Sequence, residues 1–136
     1  MSRSPVTLTE LSEDECWALL AGDELRLARV GFVADGATVI HPMNYALAGR
    51  RVYLRTGPTT MLADAVGRPD VAFEVDVVDP DWQRGWSVLL QGRLHGVVDD
   101  EELERNRELP LRTWAPGRRL HLLRFDADHV SGRRIA

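Results

Sequence analysis

Alternation of apolar and polar side chains is the feature of this sequence that most restricts its fold. Apolar residues occupy every second position of Val71–Val77 and recur with the same period through most of Gly85–Val98. A period of two is that of a β-strand with one buried face. Asp35-Gly36 lies between two more stretches of this kind and has the residue types of a two-residue hairpin turn. The sequence therefore predicts antiparallel strands joined by tight turns.

Caps, turns and breaker residues place the other elements. Helices are predicted over Thr9–Asp23, Thr59–Val66 and Asp99–Leu109, and within the first of them Ser12 and Glu15 fit a capping box. Further strands are predicted over Leu25–Ala34, with a bulge near Ala28-Arg29, and over Thr38–Leu47 and Arg51–Thr56. Leu120–Phe125 and His129–Ile135 are predicted to close the chain as one or two strands. Several strands interrupted by short helices indicate an antiparallel β-barrel. A length of 136 residues indicates a single domain, residues 1–136.

The predicted strand Leu120–Phe125 is apolar on both faces. The outer face of a barrel strand normally contacts water, so another part of the protein is expected to cover this one. A second subunit and the predicted opening helix are the two candidates, and we favour the second subunit. The strand thus favours a homodimer.

The cysteine, lysine and histidine content excludes several kinds of chemistry. Cys16 is the only cysteine, which excludes an internal disulfide and a Cys-x-x-Cys redox pair. All 17 basic residues are arginine, which excludes a pyridoxal Schiff base and the lysine of a Walker phosphate loop. The four histidines lack the spacing of metal ligands, so no metal site is predicted.

Charge and hydropathy restrict the partners and the location. The net charge of −4 and the scattered arginines disfavour nucleic acid as a partner. Because the sequence has neither an apolar run long enough for a membrane helix nor a leader-like apolar core near its start, no membrane partner is predicted and the expected location is cytoplasmic.

Glu74 and Asp76 share one strand face, which favours a solvated face over an acid–base pair.

Two segments suggest a ligand site. Pro42 interrupts the strand pattern of Ile40–Tyr45 and cannot donate to a sheet, so the sheet is expected to be open there and to leave backbone groups free for a ligand. An edge strand protected by proline from aggregation is the alternative. In Arg55–Thr60, an arginine at a strand end precedes two hydroxyl residues at a helix start. These groups could hold a phosphate, or the threonines could simply cap the helix while the arginine lies in solvent.

With these segments in place, the sequence resembles the pyridoxamine 5′-phosphate oxidase-like group of flavin-binding split barrels, from Leu11 to Ile135. The motifs that carry the resemblance are Pro42–Tyr45, Val52–Thr56, Val71–Asp76, Gly85–Val88 with Gly92-Arg93, and Leu109–Gly117. The resemblance implies a mainly β fold, a six-stranded antiparallel split β-barrel of the FMN-binding type. It also implies a homodimer that holds FMN in grooves at the subunit interface.

The resemblance further implies flavin contacts for ten residues. Met43, Asn44 and Tyr45 are expected to line the isoalloxazine ring, and Arg55, Thr56 and Thr60 to hold the ribityl phosphate. Trp86, Ser87 and Val88 are expected to border the polar edge of the flavin, and Trp114 to approach from the partner subunit. Met61 stands where relatives usually have a phosphate-binding lysine, and another arginine, such as Arg50 or Arg51, could supply that charge.

The function implied by the resemblance is a flavin-dependent oxidoreductase acting on a small molecule that the sequence does not identify. No residue is predicted as a catalytic acid or base. The C-terminal substrate motif of the pyridoxamine phosphate oxidases was not found in Leu120–Ala136, which disfavours that particular substrate. The alternatives are a deazaflavin-dependent reductase, a non-catalytic protein that stores or senses a flavin, and a structural dimer with an empty groove.

Overall fold

One curled antiparallel sheet forms the wall of the molecule. The computed structural model describes residues 7–22, 27–57, 61–79, 81, 83–111 and 121–135. Its strands are β1 (Leu8–Glu10), β2 (Leu27–Ala34), β3 (Ala37–Asn44), β4 (Ala46–Ala48), β5 (Arg51–Thr56), β6 (Val71–Val78), β7 (Gly85–Gly96) and β8 (His121–Ile135). Its helices are α1 (Glu13–Leu20), α2 (Met61–Asp64) and α3 (Asp100–Arg105). The strands follow the order β3-β2-β6-β7-β8-β5-β4, and β1 pairs with β8.

This architecture confirms the predicted mainly β split barrel and corrects its strand count. The described residues form eight strands rather than six. Six of them have six residues or more, whereas β1 and β4 have only three each. The predicted strand Thr38–Leu47 divides at Tyr45 into β3 and β4, which lie at the two ends of the sheet order.

The hairpin of β2 and β3 confirms the predicted turn. Asp35 and Gly36 both have positive φ, 51° and 78°, as a tight two-residue turn requires. The bulge predicted near Ala28-Arg29 is wrong, because the pairing of β2 with β3 runs without a shift along the whole of β2. A register shift occurs instead between Gln91 and Gly92, where β7 pairs with β8.

The N-terminal segment begins with a strand rather than with a helix. Leu8–Glu10 pairs with the end of β8, and α1 starts only after Ser12. The predicted capping box is confirmed, since the Ser12 hydroxyl accepts from the Glu15 amide and the Glu15 carboxylate accepts from the Ser12 amide. α2 and α3 are also shorter than predicted, and the C-terminal segment, predicted as one or two strands, is one continuous strand, β8.

Residues of the same chain pack against the doubly apolar strand, whereas the second subunit favoured as its cover stays a prediction. Leu123 and Phe125 of β8 face the barrel core, whereas Leu122 packs in a second cluster with Tyr53 and Val97. Ala48, Leu109 and Leu111 lie against that second cluster. The same chain therefore contacts the outer face of this strand, through residues before and after α3, and the strand by itself does not require a second subunit.

Candidate functional site

Arg55 has the environment of an anion-binding group. It lies near the end of β5 and points to the same side as Tyr53, away from the core residue Leu54. Its Nη2 donates to the carbonyl oxygen of Arg107 at 3.3 Å. Its Nε is buried and has no acceptor among the described residues. A buried charged donor without an acceptor is costly, so this nitrogen is suited to a ligand oxygen.

A cavity of about 480 Å³ opens beside Arg55, and we call it the Arg55 cavity. The described residues that line it are Arg55, Asp100, Leu103, Glu104, Arg107 and Leu122. α3 and the turn after it thus provide the wall opposite the strands. Two arginines and two carboxylates line this cavity, with leucines between them. It can bind a phosphate group only if the arginines face the phosphate more directly than the carboxylates do.

A buried ionic network holds α3 against the strands behind this cavity. Glu102 has only 8% of its side chain exposed. Its carboxylate accepts from the Tyr53 hydroxyl at 2.7 Å and from Arg124 Nη1 at 2.7 and 2.8 Å. Arg124 Nε also donates to Asp126 at 3.0 Å. The network fixes the position of α3, and with it one wall of the Arg55 cavity.

The network also changes the pKa values of its members. Burial by itself would raise the pKa of Glu102, but the hydrogen bonds from Arg124 and Tyr53 outweigh it and hold this pKa below its usual value. The pKa of Tyr53 is raised, mainly by burial and then by its hydrogen bond to Glu102. Glu102 therefore stays ionised on the buried side of α3. The sequence analysis did not single out Glu102, because its partners Tyr53 and Arg124 come together only through the pairing of β5 with β8.

Trp86 and Ser87 lie at a second cavity, of about 340 Å³, which we call the Trp86 cavity. Its lining residues are Leu8, Asp76, Val78, Arg84, Gly85, Trp86, Ser87, Arg133 and Ile135. Ser87 pairs with Asp76 on one side and with Arg133 on the other. Val88, the third residue predicted at the flavin edge, is completely buried in the core. Any contact of Val88 with a ligand would have to come from its backbone.

Met43, Asn44 and Tyr45 lie at the open edge of the sheet, where the sequence analysis expected one. β3, which contains Pro42, pairs only with β2 among the described strands. Met43 and Asn44 are half-buried. The Tyr45 hydroxyl donates to the Leu20 carbonyl at 2.9 Å, and its ring packs edge-on against Phe73. The ring of Tyr45 is thus part of the core rather than of a groove.

The predicted site residues do not converge on one cavity. The described linings of the Arg55 and Trp86 cavities share no residue. Arg55 pairs with Leu122 and Trp86 with Arg134, positions twelve residues apart along β8. That separation is roughly 40 Å of strand contour. Thr56 is buried, and Thr60 and Trp114 lie outside the described residues.

The substitutes expected for the missing lysine charge are both engaged elsewhere. Arg50 forms an ion pair with Asp14 of the N-terminal region. Arg51 lies 3.6 Å from the Glu102 carboxylate. Neither is among the described residues that line the Arg55 cavity.

Glu74 and Asp76 form an ionic cluster with Arg29 rather than a purely solvated face. Arg29 Nη1 lies 3.3 Å from Glu74 and 2.9 Å from Asp76. Burial, followed by the hydrogen bond and the charge of Asp76, raises the pKa of Glu74 to about 7, although Arg29 acts in the opposite direction. Asp76 also lines the Trp86 cavity, so the proton on the Glu74 carboxyl group lies close to that cavity.

The raised pKa of Glu74 makes stability depend on pH. Between the ordinary value of 4.5 and about 7, the folded protein binds this proton more tightly than the unfolded chain does. The contribution of Glu74 to the free energy of unfolding is therefore present in full below pH 4.5 and is lost as the pH rises through about 7. We expect Glu74→Gln to remove this loss. Because a third of the side chain is exposed, the gain at about pH 8 should be only about 1 kcal/mol.

Urea unfolding of the wild type and of Glu74→Gln at several pH values measures this difference. The advantage of the variant should shrink towards pH 4.5, and Glu101→Gln, at a side chain 88% exposed, is the control. An equal midpoint for Glu74→Gln and the wild type at every pH would contradict the prediction.

The described part of the chain has no group of three His, Cys, Asp or Glu side chains that could hold a metal ion. Among the same residues, no helix combines the length and the apolar character needed to cross a bilayer.

Comparison with known proteins shows close relatives over nearly the whole chain. A family model described as pyridoxamine 5′-phosphate oxidase matches residues 12–134. The uncharacterized protein Rv0080 of Mycobacterium tuberculosis is 32% identical over 133 residues, which are 94% of this chain and 86% of that protein. The solved structure of the FAD binding protein from Mycobacterium smegmatis has a TM-score of 0.80 and 32% identity, covering 93% of this chain and 97% of that one. A conserved protein of unknown function from Corynebacterium diphtheriae has a TM-score of 0.76 and 30% identity, with 95% and 98% covered.

Proposed function

This chain belongs to the pyridoxamine 5′-phosphate oxidase family, and on that basis we propose that it binds a flavin nucleotide, in the first place FMN. The relative from Mycobacterium smegmatis, whose fold is closely similar, is described as an FAD binding protein. FMN and FAD both carry a phosphate on the ribityl chain, so the same cation can serve either one. The observation that carries the proposal is the buried Nε of Arg55, which has no hydrogen-bond acceptor among the described residues.

Arg55 fits the phosphate of such a cofactor. Its Nη2 is held by the Arg107 carbonyl, and its Nε, which lacks an acceptor among the described residues, is ready for an oxygen ligand. Arginine binds phosphate through a planar fork and retains its charge when partly buried. The guanidinium is already positioned by the protein, which lowers the entropic cost of binding.

The flavin ring needs contacts of its own, apart from those of the phosphate, and the position of the residues that could provide them supports a homodimer. Trp86 and Ser87 border a cavity with apolar walls and with Arg84 and Arg133 at its edge. A flat ring system fits an apolar slot that has a few fixed polar groups. Because this cavity and the Arg55 cavity share no described residue, a single flavin in contact with both is best explained by two chains facing each other. We therefore propose that the phosphate site belongs to one protomer and the ring edge to its partner.

A bound flavin would supply hydride or electron transfer to a small-molecule substrate, which makes an oxidoreductase the leading hypothesis. The residues of this chain would bind the phosphate, orient the ring and exclude water from it. Asp100 and Glu104 beside Arg55, together with Met61 in place of a lysine, weaken the hold on a phosphate. These features favour a second candidate function, reversible binding of a flavin for storage or sensing.

Flavin titration with determination of the molar mass tests the proposal. The purified protein should quench the fluorescence of FMN or FAD with a saturable dissociation constant and should sediment as a dimer. A deazaflavin is titrated in parallel. If the protein binds the deazaflavin but neither FMN nor FAD, the proposed cofactor changes from a flavin to a deazaflavin. A nicotinamide donor that reduces the bound flavin with turnover would favour the enzyme over the storage protein. Absence of binding to every one of these cofactors would refute the proposal.

A further inference from the structure

We infer that Arg107 is the second cation of the phosphate site and supplies the charge that Met61 cannot. The inference rests on the proposed flavin binding and extends it to a residue of the segment after α3. Arg107 lines the Arg55 cavity, and its carbonyl oxygen accepts the hydrogen bond from Arg55 Nη2. One residue thus positions the first arginine through its backbone and presents a second guanidinium to the same cavity.

The charge of the ligand requires a second cation. A ribityl phosphate carries close to two negative charges at neutral pH, whereas Arg55 supplies one positive charge. Arg50 and Arg51 are engaged with Asp14 and Glu102 and are absent from the described lining of this cavity. Arg107 is therefore the arginine in the described lining that remains for this role.

The ion pair that Arg107 forms with Glu104 is weak enough for a phosphate to replace the carboxylate. Its Nη1 lies 3.8 Å from the Glu104 carboxylate, and both side chains are 76% exposed. An exposed ion pair at that distance contributes little to stability. A phosphate held by Arg55 would offer Arg107 a closer, doubly charged partner, and Glu104 would then be the residue that opposes binding.

α3 itself provides a matched control for this inference. Arg105 and Glu101 form a pair of the same kind at 4.0 Å, also exposed. Neither of these two residues lines the Arg55 cavity. Neutral substitutions in the two pairs change the net charge equally, so a difference between them reports the position of the charge.

The test is titration with FMN and with riboflavin, which lacks the phosphate. We expect Arg107→Gln to weaken FMN binding roughly fivefold and Glu104→Gln to strengthen it about twofold, because the charges are exposed and partly screened. Riboflavin affinity should not change in either variant, which also shows that both remain folded. Arg105→Gln and Glu101→Gln should leave both dissociation constants unchanged.

The outcomes separate this inference from the proposed function. If the wild type binds FMN more tightly than riboflavin but Arg107→Gln does not alter that preference, the inference is wrong and the proposed function stands. An equal loss of FMN affinity in Arg105→Gln would also overturn the inference, because the loss would then come from the change in net charge and not from the position of Arg107. If the wild type binds FMN no more tightly than riboflavin, the inference is refuted and flavin binding stands. If the wild type binds neither a flavin nor a deazaflavin, both are refuted.

Discussion

Replacing Arg55 with glutamine should weaken FMN binding by about 2 kcal/mol or more, which is roughly thirtyfold in the dissociation constant. The glutamine amide is uncharged and cannot present the planar fork to a phosphate. Because riboflavin has no phosphate, its affinity should change much less. Fluorescence titration of the two ligands against the wild type and the variant measures both constants.

Arg93→Gln is the matched control for this substitution. Arg93 also reaches a backbone carbonyl, that of Gly67 at 3.5 Å, and does not line the Arg55 cavity. Its replacement should leave the preference for FMN over riboflavin intact. The same thirtyfold loss in Arg93→Gln, or no loss in Arg55→Gln, would remove Arg55 from the phosphate site.

Replacing Gly92 with alanine should have the largest effect on stability, lowering the free energy of unfolding by about 3 kcal/mol. A Cβ atom at this position would overlap the carbonyl oxygen of Asp126 and lie 2.9 Å from its carbonyl carbon. These neighbours are backbone atoms of β8, which cannot move aside as a flexible side chain can. The clash arises where the register of β7 and β8 shifts.

Gly96 of the same strand provides the control. A Cβ atom there meets nothing within 4 Å, so Gly96→Ala should change the free energy of unfolding by less than about 0.5 kcal/mol. Urea unfolding followed by circular dichroism compares the two variants with the wild type. Equal midpoints for Gly92→Ala and Gly96→Ala would show that the strands adjust to the extra methyl group.

The parts of the fold that depend on neighbouring residues were predictable. The turn at Asp35-Gly36 follows from the need for positive φ, and the start of α1 follows from the reciprocal capping of Ser12 and Glu15. The bulge was misplaced because its position at Gln91/Gly92 is set by how β8 pairs with β7. Alternation within a single strand shows which face is buried, but it does not locate the residue at which the pairing with another strand shifts.

The candidate site was predictable to a similar extent. Arg55 was singled out from its own segment, and the structure places it at a cavity, with a buried nitrogen that finds no acceptor in the described part of the chain. Arg107, its partner, lies 52 residues further along the chain and was not singled out. Glu102 was missed for the same reason, because its burial results from the docking of α3 onto β5 and β8 and not from the helix sequence.

The pairing of β1 with the last residues of β8 bears on how the chain folds. Leu8 pairs with Ile135, so this contact closes a loop of almost the entire sequence, whereas the β2–β3 hairpin closes across two residues. Loop closure costs more conformational entropy as the loop grows, and contacts between distant residues slow folding. The local β2–β3 hairpin is therefore expected to form before β1 pairs with the end of β8.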